Sequence, residues 1–228
     1  MSIWTRIAEI LSALASGEAL SAIFDRLRIT PERSVGFTIA VIALGAKMAK
    51  ADGEVTRDEV SAFRRVFAIP EGEEANAARV FNLARQDVAG FDAYARKIRA
   101  MFAEDDHEVL IDLMEGLFHI AVADGHYHTK EDDFLDMVAG QFGIEPAVFR
   151  SLRARFVEGA AADPYAVLGV ASDAPLDKVR AAWKAAVRAS HPDAMMARGV
   201  PAEAVQLATR RLIAINAAWA EISAKQVA

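Results

Sequence analysis

Two stretches of this chain are apolar on almost every helical face, and both stop at the same tripeptide. The first covers about residues 31–50, with Val35, Phe37, Ile39, Val41, Ile42, Leu44 and Met48, and reaches Ala51-Asp52-Gly53. The second covers about residues 108–122, with Val109, Leu110, Leu113, Met114, Leu117, Phe118 and Ile120, and reaches Ala123-Asp124-Gly125. A helix without a polar face has to be surrounded by other helices, so each is expected at the centre of a bundle. Arg33, Lys47 and Lys50 mark the ends of the first, and no uncharged apolar run reaches the roughly 18 residues of a bilayer span.

The match extends past the tripeptide. The Asp-Gly pairs lie 72 residues apart, Thr56 and Thr129 lie 73 apart, and Phe67-Ala68-Ile69 and Phe142-Gly143-Ile144 lie 75 apart. Gly53 suits the left-handed position that closes a helix. Thr56-Arg57-Asp58-Glu59 reads as a capping box, in which Thr takes one free N–H and Glu reaches back to another; Thr129-Lys130-Glu131-Asp132 repeats it with Asp. Residues 31–157 therefore read as two copies of a unit made of a central helix, an Asp-Gly turn and a second helix. Two such hairpins pack as a helical bundle. Further helices are expected over 73–86, over 91–102 and from Pro146, with Val80, Tyr94, Ile98, Phe149 and Leu152 turned inward.

Alanine is abundant and no segment alternates like a strand, which makes an all-α fold the expectation. The absence of cysteine excludes disulfides, zinc ribbons and thiol catalysis, and suits a reducing cytosol. Residues 1–29 carry Ile3, Ile7, Ile10, Leu11 and Leu14 on one face, with Trp4 beside them. This segment reads as a helix docked on its own domain or on a second copy, the alternative being a peripheral membrane contact. Arg6 and Glu9 interrupt the first fourteen residues, which do not read as a secretory signal.

Charge divides the chain. Residues 1–159 hold 18 Lys+Arg against 26 Asp+Glu, and residues 160–228 hold 8 against 6, so net charges of −8 and +2 result. A surplus of +2 is too small to point to nucleic acid, and it leaves room for an acidic protein partner.

Residues 158–162 are small and lack an apolar stripe, so they read as a linker between a bundle at 30–157 and a second domain at 163–228. Asp163-Pro164 opens a short helix and Gly169 ends it. From Pro175 onward, Val179, Ala182, Trp183, Ala186 and Val187 form a buried stripe, beside which Arg180, Lys184 and Arg188 recur every fourth residue. His191-Pro192-Asp193 ends this helix, because proline cannot continue it and disfavours helical geometry in the residue before. A loop is expected over 194–200. A final helix follows, with Val205, Leu212, Ile215, Trp219 and Ile222 inward and Trp219 and Trp183 as large core candidates.

The order D-P-Y-x-V-L-G-V, basic helix, H-P-D and long helix with Ile215-Asn216-Ala217-Ala218-Trp219 resembles a J-domain of the DnaJ family. Residues 197–203 resemble the DjlA branch, and the two-unit acidic bundle is similar to the TerB-type domain that DjlA-like proteins carry. The resemblance covers about residues 30–228. It implies a three-helix C-terminal J-domain and a co-chaperone that stimulates ATP hydrolysis by a DnaK-type partner. His191, Pro192 and Asp193 would make the contact, and Arg180, Lys184 and Arg188 would steer it. The bundle would serve as a targeting or regulatory module for a client or adaptor. The chain would supply no catalytic residue and need no cofactor. Ala194 stands where Lys commonly follows H-P-D; against that resemblance the chain reads as a variant without a Gly/Phe-rich or zinc-binding segment and without the transmembrane anchor of many DjlA-like proteins.

A reading of another class is a TerB-like metal-binding or stress-response adaptor of the tellurite-resistance type, with the J-domain only a docking element. Asp52 and Glu59 in one turn, and Asp124, His126 and His128 in the other, are the residue types that hold divalent ions. Helix termini alone also account for those acids. His107, beside Asp105, Asp106 and Glu108, reads as part of a polar loop, and His119 as a hydrogen-bonded residue of its helix.

Overall fold

The structure, a computed structural model, describes residues 3–14, 18–27, 33–52, 69, 71–87, 89–103, 106–123, 125–157, 163–204 and 206–225, with the backbone alone at 50–52 and 203. Among these residues it is all-α, with twelve α-helices and one short 3-10 helix at Ala202–Ala204. The first Thr box, its helix, Gly53, Glu59, Asp124, Val205 and the expected linker lie outside the described residues.

The 20-residue helix α3 (Arg33–Asp52) is the axis. Phe37, Ile39, Val41 and Leu44 are fully buried on it. Among the described residues its neighbours are α1 (Ile3–Ser12), α4 (Glu74–Gln86), the pair α5 (Phe91–Arg99) and α7 (Thr129–Phe142), and the second apolar helix α6 (His107–Ala121). Burying each large aliphatic or Phe side chain contributes about 1.5–3 kcal/mol, so the middle of the bundle dominates its stability. The two apolar helices approach closely where a Cβ on Gly116 would stand 3.3 Å from Val41 Cγ1.

The apolar face of α1 is buried at Trp4, Ile7 and Leu11, against α3 and α4. It is docked on its own bundle, as is α2 (Ala22–Leu27), whose Phe24 meets Tyr94 edge-on at 5.6 Å. A polar knot secures this corner. Asp87 accepts from the Tyr94 hydroxyl at 2.7 Å and the Ser21 N–H at 3.1 Å, and Lys47 Nζ donates to the Asp87 carbonyl at 2.6 Å.

The second turn departs from expectation in one detail. Thr129 is the first helical residue of α7 and not its cap; His128 precedes the helix, and its N–H donates to Glu131 at 2.8 Å. Glu131, the residue three beyond His128, reaches back as a capping-box carboxylate does, with the register one residue earlier than the Thr suggested. Gly125, with φ of 84°, takes the left-handed conformation expected of the Asp-Gly pair.

The C-terminal helices are α8 (Pro146–Phe156), which completes the bundle, and then α9 (Pro164–Val167), α10 (Leu176–Ala189), α11 (Pro192–Arg198) and α12 (Gln206–Lys225). Asp163 caps α9 by accepting from the Tyr165 N–H at 3.1 Å. Val179, Ile215, Ala218 and Ile222 form a small core between α10 and α12. Trp183 and Trp219 are not central to it. They stack at 5.1 Å on its partly exposed edge, where Trp183 Nε1 donates to Asn216 at 2.9 Å.

Candidate interaction site at the H-P-D turn

α10 delivers its cations to one face because 3.6 residues make a turn, so positions four apart stay in register. Arg180, Lys184 and Arg188 are all exposed along it. The Arg180 guanidinium lies 5.7 Å from the Trp219 ring centroid, a cation–π contact that orients the head of the row. The helix ends at Ser190, whose buried hydroxyl donates to the Ala186 carbonyl at 2.6 Å.

His191 then turns the chain. It sits before α11 and accepts the Asp193 N–H at Nδ1, 3.2 Å away. Pro192 is the first helical residue, where its missing N–H costs nothing. The His191 and Asp193 side chains remain 63% and 81% exposed. The turn therefore presents an imidazole and a carboxylate to solvent beside a cationic row, with the backbone already paired.

The segment 194–200, expected as a loop, is helical over Pro192–Arg198. His191 caps it, proline starts it, and Gly199 at φ 102° closes it in the left-handed conformation. Start and stop signals thus stand in the sequence at residues 191, 192 and 199. Pro192 serves twice, as the barrier that ends α10 and as the first residue of α11.

Behind the turn the chain is anchored in the bundle. Met195, Val200, Ala204, Leu207 and Ala208 belong to the same buried cluster as α3 and α6. Arg198 donates to Asp112 at 2.8 Å through Nη2 and at 3.1 Å through Nε, and to the Ala189 carbonyl at 3.1 Å. Arg211 on α12 pairs with Asp112 at 2.6 Å and with Glu115 at 2.5 Å through Nε. Arg155 on α8 stands 3.7 Å from Glu115. Both carboxylates are buried in α6, at 0% and 1% exposure. Arg211, and Arg155 after it, hold the Glu115 carboxyl below its usual range against the opposing pull of burial. Burial in turn pushes Asp112 up, against Arg211 and Arg198. A buried cluster of this kind contributes little net stability, but removing one member leaves an uncompensated charge.

His119, one helical turn beyond Glu115, joins the cluster. Arg210 Nη1 lies 3.0 Å from its Nδ1, and the ring meets Phe156 edge-on at 4.5 Å. Burial lowers its pKa to about 4, and Arg210, Arg155 and Arg211 act the same way against the pull of Glu115. A neutral imidazole accepting from Arg210 at Nδ1 fits this contact, in line with the hydrogen-bonded role expected of it, while its buried Nε2 has no partner among the described residues.

Sequence reasoning missed Asp112, Glu115, Arg198 and Arg211. The signal was an acidic pair three residues apart inside a helix otherwise read as apolar all round. Buried carboxylates require partners, and this pattern announces that cations will arrive from elsewhere.

Of the metal candidates, His126 and His128 are exposed, with ring centroids 6.2 Å apart. Glu59 and Asp124, with the Asp52 side chain, lie outside the described residues. Among the described residues no group of three or more His, Asp or Glu side chains could hold a metal ion. No helix among them is long and apolar enough to cross a membrane.

Comparison with known proteins adds two matches of different reach. The family model for tellurite resistance protein TerB matches residues 38–154. Over most of its length the chain is similar to proteins named co-chaperone protein DjlA. That of Photobacterium profundum is 26% identical across 82% of this chain and 77% of the relative. That of Aliivibrio fischeri is 24% identical across 82% and 78%. That of Coxiella burnetii is 25% identical across 77% and 72%. No solved structure matches.

Proposed function

We propose that this chain, which belongs to the tellurite resistance protein TerB family through residues 38–154, is a DnaJ-family co-chaperone that stimulates ATP hydrolysis by a DnaK-type partner. The observation that carries the reading is the exposed His191-Pro192-Asp193 turn beside the exposed row Arg180, Lys184 and Arg188, all on one scaffold. Likeness to proteins named DjlA co-chaperones supports it.

The division of labour follows from the chemistry of the side chains. The cationic row draws an acidic surface toward α10; steering of this kind raises association rates by about 10–1,000-fold and weakens with salt. His191 and Asp193 then offer a donor or acceptor ring and a carboxylate to a partner backbone or side chain, and Pro192 keeps the turn short. ATP is hydrolysed by the partner, and this chain supplies contacts only. The bundle fixes the orientation of the turn and serves as the targeting or regulatory module.

The test is the steady-state ATPase of a DnaK-type chaperone with the full chain added. Wild-type protein raises the rate, and His191→Gln abolishes the rise with circular dichroism unchanged. No stimulation by a folded wild-type chain with DnaK chaperones of several bacteria would overturn the proposal.

A further inference from the structure

Between the bundle and the C-terminal helices lies a cleft of about 370 Å³, within the lower part of the range for small-molecule sites of about 300–1,000 Å³. Ile111, Val148, Leu168 and Ile215 give it apolar walls, contributed by α6, α8, the end of α9 and α12. Its cationic lining is Arg155 and Arg211, and Glu108 also lines it.

The two arginines differ in their state. Arg211 has both carboxylates as partners. Arg155 is 10% exposed and has one charged contact among the described residues, at 3.7 Å to Glu115, too long for a hydrogen bond. Its Nε is buried without a hydrogen-bond partner among the described residues. Burial pushes Arg155 down from the ordinary arginine range. Among the described residues the cluster joins three guanidinium groups, Arg155, Arg198 and Arg211, to two carboxylates, Asp112 and Glu115. Buried donors are ordinarily satisfied, and buried charges ordinarily paired. Arg155 departs from the first rule through its Nε, and its one ion pair is a long one, at the wall of an apolar-lined cleft.

We propose that this cleft is a binding site for a small amphipathic monocarboxylate, with its anionic head on Arg155 and its apolar body between Ile111, Val148, Leu168 and Ile215. The single surplus positive charge selects a monoanion. A dianion such as a phosphate monoester would leave a net negative charge in an apolar surround, with Glu108 close by. An uncharged alcohol can accept a hydrogen bond from Arg155 but brings no charge to balance it. The cleft is also lined by Ala189 and Ser190, the residues directly before His191, so a bound molecule bridges the bundle to the start of the H-P-D turn. Binding itself does not rest on the proposed co-chaperone role.

The experiment titrates the full chain with octanoate, octanol and octyl phosphate, by calorimetry and by thermal melting. Octanoate binds and raises the melting temperature in proportion to occupancy, whereas octanol and octyl phosphate bind at least about tenfold more weakly. Arg155→Met weakens octanoate binding about tenfold or more, and Arg150→Met, on the exposed side of the same helix, leaves it unchanged. Ala147→Trp keeps the test decisive if Arg155→Met fails to fold, because Ala147 is exposed at the cleft and a larger ring there blocks entry. Equal affinity for octanoate and octanol, unchanged octanoate binding in Ala147→Trp or in a folded Arg155→Met, or no octanoate binding at millimolar concentration would each overturn the proposal. ATPase stimulation is a separate readout: its failure strikes the co-chaperone reading and leaves the binding result standing.

Discussion

Arg198 and Asp112 lie 86 residues apart in the chain and 2.8 Å apart in space, and the same guanidinium reaches the carbonyl of Ala189 at 3.1 Å. One side chain thus joins the last turn of α10, directly before His191-Pro192-Asp193, to the middle of α6. The H-P-D turn is exposed on its outer side and fastened on its inner side. The position of the turn depends on residues buried behind it.

Removing the anionic half of that fastening exposes its weight. Among the described residues, Asp112→Ala leaves Arg198 without a carboxylate and Arg211 with Glu115 alone, at a fully buried position. Loss of one partner from a buried ion cluster costs about 3–5 kcal/mol. Urea unfolding followed by tryptophan fluorescence is expected to show this loss, reported by Trp4 in the bundle and by Trp183 and Trp219 in the C-terminal helices.

Acid is expected to weaken the junction before it unfolds the bundle. His119 is held neutral in the fold with its pKa lowered from 6.5 to about 4. Between those values the unfolded chain binds a proton that the folded chain does not, so stability rises with pH across the window and falls as pH drops through it. The effect is on the order of 2–3 kcal/mol. Glu115, whose carboxyl is held low, adds a further loss below the usual glutamate range. Chemical denaturation at pH 7 and pH 5 measures the first loss. His119→Gln, which keeps an acceptor for Arg210, flattens the curve over that interval.

Two left-handed glycines are expected to respond differently to alanine. Gly143 has φ of 70° with nothing within 4 Å of an added methyl, so Gly143→Ala carries only the conformational cost of about 1–2 kcal/mol. At Gly199, with φ of 102°, an added Cβ would stand 2.5 Å from Arg33 Cβ. Gly199→Ala adds a steric displacement of α11 from the start of α3, and a total loss above about 2 kcal/mol is expected. Thermal melts of the two variants give the comparison.

The cationic row is expected to act on association and hardly at all on folding. Arg180, Lys184 and Arg188 are exposed, and Arg180 has a cation–π contact over Trp219. Replacing all three with Ala changes stability by about 1 kcal/mol or less. The concentration for half-maximal ATPase stimulation rises about 10–100-fold at low salt, and the gap from wild type narrows as ionic strength increases. A row that serves only as a solvated face would leave this concentration unchanged.

Local chemistry alone determined much of this protein. Apolar faces at helical spacing defined α3 and α6 as central, Gly125 followed from its Asp-Gly turn, and Pro164 and Pro192 marked helix starts or stops from their missing N–H. The exposed row on α10 followed from a period of four. These features depend on neighbours within one or two turns, and periodicity records them. Tertiary structure decided the rest. Asp112 and Glu115 read as minor interruptions of an apolar helix until Arg198, Arg211 and Arg155 arrived from three other helices. Met195, Val200 and Leu207 looked like parts of a small separate domain, yet they are buried with the bundle. Trp183 and Trp219 looked like core and stand at an edge. A buried charge or an apolar side chain states only that it needs a partner; which partner satisfies it is settled by the packing of segments distant in sequence.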